Sequence, residues 1–277
     1  MRKKINWERF WRQSMVVCLV GFLVSAIFLA LYLDAGRREQ ETFDQLAFMV
    51  EAAAKEDDQE KEGEEVQKLE DKDADEAAGA ARLQQYAEIY TLNPDLVGWI
   101  QIEGTGINYP VMQSIEEPDY YLHRDFYGDY SRSGVPYLEE ECDLALPSDN
   151  LLVYGHYLRN GTMFTDLEGY REEKFYREHP SIRFDTLEEI GTYQIIAVFR
   201  TVVYSDGPEA FPYYEYIDMT QEQFQEYVDC CKELSFYDTG ETAESGDQLL
   251  TLSTCDFSIE NGRLVVVARK VTENEAE

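Results

Sequence analysis

Between Met15 and Leu33 the chain carries no charged residue, and this stretch decides how everything after it can fold. Its length matches the ~20 residues that an α-helix needs to cross the hydrocarbon core of a bilayer. Arg2, Lys3, Lys4, Arg9 and Arg12 stand before it. By the positive-inside rule residues 1–14 stay in the cytoplasm and the chain beyond Leu33 is exported. A cleaved signal peptide is the rival reading, with Val24-Ser25-Ala26 as a loose small-x-small site. The apolar run continues past that site, which favours a retained transmembrane anchor over 15–33.

The exported part is acidic. Across 277 residues, 56 Asp and Glu against 24 Lys and Arg give a formal charge of -32. Phosphate binding needs clustered Lys and Arg, so nucleic acid is excluded as a partner, and adhesion to anionic lipid is disfavoured. The acidic residues are dense from Glu51 to Glu76, where no aromatic occurs. Such a stretch buries too little apolar area to offset its chain entropy and reads as a solvated helix or disorder. Residues 34–80 are therefore expected to form a stalk or linker carrying one globular domain over 81–277.

That domain opens with Leu83, Tyr86, Ile89 and Tyr90 at helical spacing, stopped by Pro94. Short β-type runs follow: Val97 to Ile102, Ile107 to Met112, Gly134 to Leu138, Asn150 to Tyr154, Ser181 to Phe184, Thr192 to Tyr204, Leu249 to Cys255 and Arg263 to Ala268. Eight short strands punctuated by Gly, Pro, Asp and Ser predict a mainly β fold with helices (α+β), a barrel or sandwich and not alternating βαβ units. Two helices interrupt them. One is expected over Met163 to Glu178, before Pro180. The other starts at Thr220, with Gln223 completing a capping box, and presents Phe224, Tyr227, Val228, Cys231 and Leu234 on one face.

Five cysteines are present, and Cys18 lies in the apolar run. Cys142, Cys230 and Cys231 read as small buried hydrophobes, with a disulfide among them left open. Cys255 differs by position. It closes the run Leu249-Leu250-Thr251-Leu252-Ser253-Thr254-Cys255, and after Asn261-Gly262 comes Arg263. Two strands joined by that turn would set thiol and guanidinium side by side. Among the three histidines, His156 ends the apolar Leu151-Leu152-Val153-Tyr154-Gly155-His156 stretch at a rim position, whereas His123 and His179 have polar neighbours and read as surface or helix-end residues. A cysteine in an apolar strand is more often core than nucleophile. Cys255 at a strand end, beside a cation and with an imidazole available, is a candidate for covalent catalysis.

Thr251-Leu252-Ser253-Thr254-Cys255, Arg263 opening the next strand, and Tyr154-Gly155-His156 upstream resemble the sortases, cysteine transpeptidases of Gram-positive surfaces. The resemblance covers about 81–277. Asp95-Leu96-Val97-Gly98-Trp99-Ile100, Tyr109-Pro110-Val111 and Gly161-Thr162-Met163-Phe164 resemble class B in particular, as does the helix between the sixth and seventh strands. The polar Thr272 to Glu277 stretch is unlike the second membrane helix often carried by pilin-building class C enzymes. The resemblance implies an eight-stranded sortase-type β-barrel with Cys255 as nucleophile, His156 as general acid/base and Arg263 stabilising the oxyanion or holding substrate. Ser253 and Tyr154 are the expected substrate contacts, and the aromatic-rich segment Val202 to Glu215 is a candidate groove wall.

The implied activity is cleavage of a C-terminal sorting signal in a secreted protein and transfer of the acyl group to an amine of peptidoglycan or its lipid-linked precursor. The implied place is the membrane of a Gram-positive bacterium, single-pass, with the catalytic domain outside. No metal and no cofactor are called for. Water as acceptor, making a thiol endopeptidase, and pilin polymerisation are the alternatives. From ordinary Cys and His acidities, independent groups at pH 7 would be thiolate and imidazolium together in under ~1% of molecules. Either the site shifts those values or the enzyme works from a minor protonation state.

Overall fold

The computed structural model describes residues 7–64, 84–204, 207 and 210–272. The later part of the acidic stretch, Leu83, the last residues of the polar C-terminal stretch and four positions of the 202–215 segment lie outside them. The chain divides into two compact units, Met1–Thr42 and Phe43–Glu277.

A single helix, α1 (Trp7–Glu64), contributes to both units. It contains no proline, so nothing in the sequence removes a backbone donor along its length. Within the first unit its apolar side chains are exposed, Val16, Phe22 and Phe28 among them. The helix is long and apolar enough to cross a membrane.

In the second unit part of the segment 34–80, read as a stalk, carries a packed apolar face. Phe43 and Leu46 are buried, and Ala47, Met49 and Val50 pack beside them. The Phe43 ring meets Tyr109 edge-on with centroids 5.3 Å apart. Phe43, Leu46, Ala47 and Val50 fall at helical spacing and form an apolar stripe just before the acidic run begins. Burying two such side chains contributes about 1.5–3 kcal/mol each.

The eight strands are β1 (Leu96–Gln101), β2 (Asn108–Met112), β3 (Tyr137–Leu138), β4 (Asn150–Tyr154), β5 (Ser181–Thr186), β6 (Thr192–Val202), β7 (Leu249–Asp256) and β8 (Gly262–Lys270). They close into a barrel in the order β1-β2-β3-β4-β7-β8-β6-β5. Closure leaves no unpaired edge. The predicted third run shrinks to the two residues of β3, because the chain around Gly134 turns sharply at positive φ.

Most neighbours are antiparallel; β2 with β3 and β4 with β7 are parallel. The β4–β7 register runs from Asn150 opposite Leu249 to Tyr154 opposite Ser253. Parallel neighbours end at the same rim, so whatever follows Tyr154 emerges beside whatever follows Ser253. β7 and β8 form the expected hairpin, with Cys255 opposite Arg263.

Short helix α2 (84–92) precedes the barrel and buries Tyr86 and Ile89. The helix expected over Met163 to Glu178 is instead a 3-10 helix, Phe164–Arg171, and a short α3 (Glu173–Glu178), separated by Glu172 in extended conformation. α4 (Gln221–Leu234) has the expected capping box between Thr220 and Gln223. It buries Phe224, Tyr227, Val228 and Cys231, while Leu234 is exposed. Cys142, Cys230 and Cys231 are free thiols.

Candidate active site

A cleft of about 300 Å³ opens at the rim where β4 and β7 end, and Tyr154, His156, Ser253, Cys255 and Arg263 all line it. Cys255 is the penultimate residue of β7 and is half-buried. Register alone places Arg263 across from it. The next residue, Asp256, is buried and turned to other partners. Its carboxylate pairs with Arg171 Nη2 at 2.7 Å and lies 3.9 Å from Arg200 Nε. Burial alone would raise this carboxyl, but hydrogen bonds at Ser258 and the Arg171 ion pair bring it below the ordinary range. A fixed negative charge beside the thiol is thereby compensated by cations on neighbouring elements.

His156 is held from three sides. Its Nε2–H donates to the Leu122 carbonyl at 2.8 Å. A carbonyl can only accept, so the neutral ring carries its proton on Nε2 and leaves the Nδ1 lone pair for chemistry. Its own carbonyl accepts from the Phe164 amide at 3.0 Å. Phe164 is fully buried, and a Cβ on Gly155 would stand 2.5 Å from its ring. Only glycine lets β4 pass this ring and deliver the imidazole to the rim.

The histidine is weakened as a base by its surroundings. Burial lowers its affinity for a proton, the Leu122 hydrogen bond raises it, and His123 lowers it, with a net decrease from the ordinary imidazole value. His123 was expected at the surface and is exposed, yet its ring stacks on His156 with centroids 5.7 Å apart and planes 22° from parallel. His179 lies elsewhere, with Nδ1 at 2.7 Å from the Glu103 carbonyl.

Ser253 and Tyr154 line the floor of the cleft. The Ser253 hydroxyl is buried and engaged with Tyr213 Oη at 2.6 Å. Burial pushes the Tyr213 phenol up to about 12. The Tyr154 ring lies tilted against Tyr137, ring centroids 5.4 Å apart, and burial holds its phenol far above the ordinary value. Beyond it, Glu139 lies against Glu140 in the same cleft. Burial, then the hydrogen bond with Glu140, raises the Glu139 carboxyl to about 7.

Tyr213 and Tyr214, within the aromatic-rich Val202 to Glu215 segment, line the opposite wall. Leu122, Tyr213 and Glu139 were not singled out by sequence, and His123 was set aside there as a surface or helix-end residue. Only Tyr213 left a signal there, as part of that aromatic segment. A thiol, an imidazole with a free Nδ1 and a guanidinium thus line one cleft.

Comparison with known proteins gives the same direction. The family model described as Sortase domain matches residues 100–271. Sortase B of Staphylococcus aureus is 32% identical over 190 residues, spanning 67% of this chain and 74% of that protein. Sortase B of Listeria monocytogenes is 31% identical over 188 residues with the same coverage. Among solved structures, a sortase B complexed with triglycine superposes with a TM-score of 0.70 at 25% identity, covering 86% of this chain and 99% of that one.

Proposed function

The chain belongs to the sortase family, in class B, and from that premise we propose that Cys255 is the nucleophile, His156 the general acid/base and Arg263 the oxyanion-stabilising cation of its transpeptidase reaction. The observation that carries this reading is the convergence of the three side chains on one cleft at the rim shared by β4 and β7. The Cys255 thiolate attacks the scissile carbonyl, forming the C–S bond as the carbonyl electrons move onto oxygen. Arg263, charged at every working pH, faces that developing charge. Collapse expels the amine, which takes a proton from His156 Nδ1 as the C–N bond breaks. An acceptor amine then attacks the thioester, His156 removes its proton, and the thiolate departs.

Thiolate and imidazolium are both required at the first step, and His156 is held below the ordinary imidazole range. Lowering the proton affinity of this imidazole shrinks the fraction of molecules in which it is charged.

The substrate in this reading is a secreted protein with a C-terminal sorting signal, and the acceptor an amine of peptidoglycan or its lipid-linked precursor. The relative complexed with triglycine supports a peptide amine on the acceptor side. Ser253 and Tyr154 contact the peptide from the floor of the cleft. Residues 1–14 stay in the cytoplasm, 15–33 span the membrane, and the catalytic domain works outside. The exposed apolar helix behind a basic N-terminus supports that placement.

The test is mass spectrometry of the full-length chain in detergent with a library of sorting peptides. A thioacyl adduct on Cys255, lost in Cys255→Ala and released as an amide by added amine, is the expected result. Normal turnover by Cys255→Ala would sink the assignment. Membrane fractions that lose the protein on alkaline extraction would overturn the anchor.

A further inference from the structure

We propose that His123 is a positioning residue for the reaction, an imidazole whose charge state governs how much of His156 is available as the proton donor. The inference rests on reading His156 as the acid/base. It begins from one turn of 3-10 helix, Tyr120–His123, which contributes two consecutive residues to the same ring. Leu122 offers a carbonyl that holds Nε2–H in line, and His123 lays its ring across the His156 face at 5.7 Å. The turn is pinned on both sides. Tyr137 Oη donates to Asp119 at 2.6 Å before it, and the Ser131 amide donates to the His123 carbonyl at 3.0 Å after it. The stack is thus part of the fold.

The two contacts act in opposite senses on the imidazolium. The Leu122 carbonyl accepts a stronger hydrogen bond from a charged ring than from a neutral one. A protonated His123 places a like charge against it. A charge on the exposed ring is therefore felt by the half-buried one, although no hydrogen bond joins them.

Other charges near the pair have assigned partners or distinct positions. Arg124 lies over the Tyr120 ring at 4.7 Å and donates to the Gly128 carbonyl. Asp125 accepts from the Tyr127 and Asp129 amides. Cys255 from β7, Arg263 from β8, Glu139 and Glu140 after β3, and Asp119 at the start of the His123 turn itself face the same cleft. Burial, Leu122 and His123 are what act on His156 itself.

The chain has only three histidines, so each can be followed by NMR titration of the full-length protein in detergent. Single His→Gln variants assign the signals. His123→Gln, which removes the charge and keeps a polar side chain of similar reach, is expected to raise the His156 midpoint. His123→Arg, permanently charged, is expected to hold it below that of the Gln variant. Like charges about 6 Å apart in a water-like dielectric change an equilibrium about threefold, so acylation at neutral pH should be about threefold slower in His123→Arg than in His123→Gln. Added salt should narrow the difference. The proposal is overturned if the two variants move the midpoint in the same direction by the same amount, or if neither moves it. His156→Ala separates the two ideas: full activity there defeats the acid/base reading, whereas a dead His156→Ala with unresponsive His123 variants defeats this inference alone.

Discussion

Two halves of the cleft are built by different means. Cys255 and Arg263 face one another because β7 and β8 are a hairpin, joined by a short turn in which Asn261 takes the left-handed conformation. His156 reaches them because β4 lies parallel to β7, a pairing between segments about a hundred residues apart. In each half a glycine stands immediately before the functional residue, Gly155 before His156 and Gly262 before Arg263. A Cβ on Gly155 would meet the Phe164 ring at 2.5 Å, and one on Gly262 would meet the Asp256 carbonyl and the Ile259 side chain at 2.6 Å. The difference lies in what can yield. Phe164 is enclosed by core; at Gly262 the half-buried Ile259 can shift, whereas the Asp256 carbonyl belongs to β7 and gives only if the end of the hairpin opens toward its exposed turn. The long-range half is the more tightly constrained one.

The strongest way to break that comparison is Gly155→Ala. Overpacking against an immovable ring costs about 1–3 kcal/mol, and displacement of the imidazole should slow acyl-enzyme formation by roughly tenfold to a hundredfold. Alkylation of Cys255 should stay within a few-fold of the parent, because the hairpin is untouched. Equal loss in both assays would mean that the halves are not separable.

Gly262→Ala should do less, since Ile259 can shift and the Asp256 carbonyl, which must move with it, lies at the hairpin end beside an exposed turn. A fall of roughly tenfold in acylation, about one such step in barrier height, is expected, with the His156 titration unchanged. If it exceeds the Gly155→Ala effect, the ranking of the two halves is reversed.

Tyr213→Phe tests the floor between them. It leaves the buried Ser253 hydroxyl without its partner, which should cost about 1–3 kcal/mol of stability in denaturant unfolding. An unaltered unfolding midpoint would show that the 2.6 Å contact carries no weight.

The smallest effect is one of pH, and its sign differs between two groups on the His156 side. His156 binds its proton more weakly folded than unfolded, so its contribution to stability is lost as pH falls through the ordinary imidazole range. Glu139, raised to about 7, contributes below the ordinary carboxylate range and loses that contribution as pH rises toward about 7. Glu139→Gln should therefore be relatively more stable than the parent above neutrality and should lose the advantage in acid. Parallel stability curves for the two proteins would remove Glu139 from the account.

What the sequence disclosed follows the same division. The β7–β8 hairpin was legible because an apolar run, a turn and a second apolar run are all local signals. Tyr154-Gly155-His156 was legible as a strand end, and the barrel as a succession of short runs. That β4 would lie against β7 was not, since hydrophobic pattern marks a strand without naming its neighbour. His123 was read as a surface residue, and it is one; its stack on His156 depends on where a 3-10 turn is set down by the rest of the barrel. The packed face at Phe43 and Leu46 was obscured by the acidic composition that follows it. Tyr213 shows the limit from another side. Its segment was noticed for its aromatics, but the phenol hydroxyl that meets Ser253 is a matter of distance and not of composition.

The parallel contact between β4 and β7 also bears on when the thiol becomes dangerous. Contacts between distant segments are made late, because the intervening chain must first surrender its freedom. Synthesis delivers the strand that leads to His156 well before that of Cys255, and each alone is chemically ordinary. With Cys255 and His156 in the roles proposed for them, only the closed barrel sets a nucleophile beside a proton donor, so maturation of the fold acts as its own safety catch. Peptides met before closure are spared by geometry.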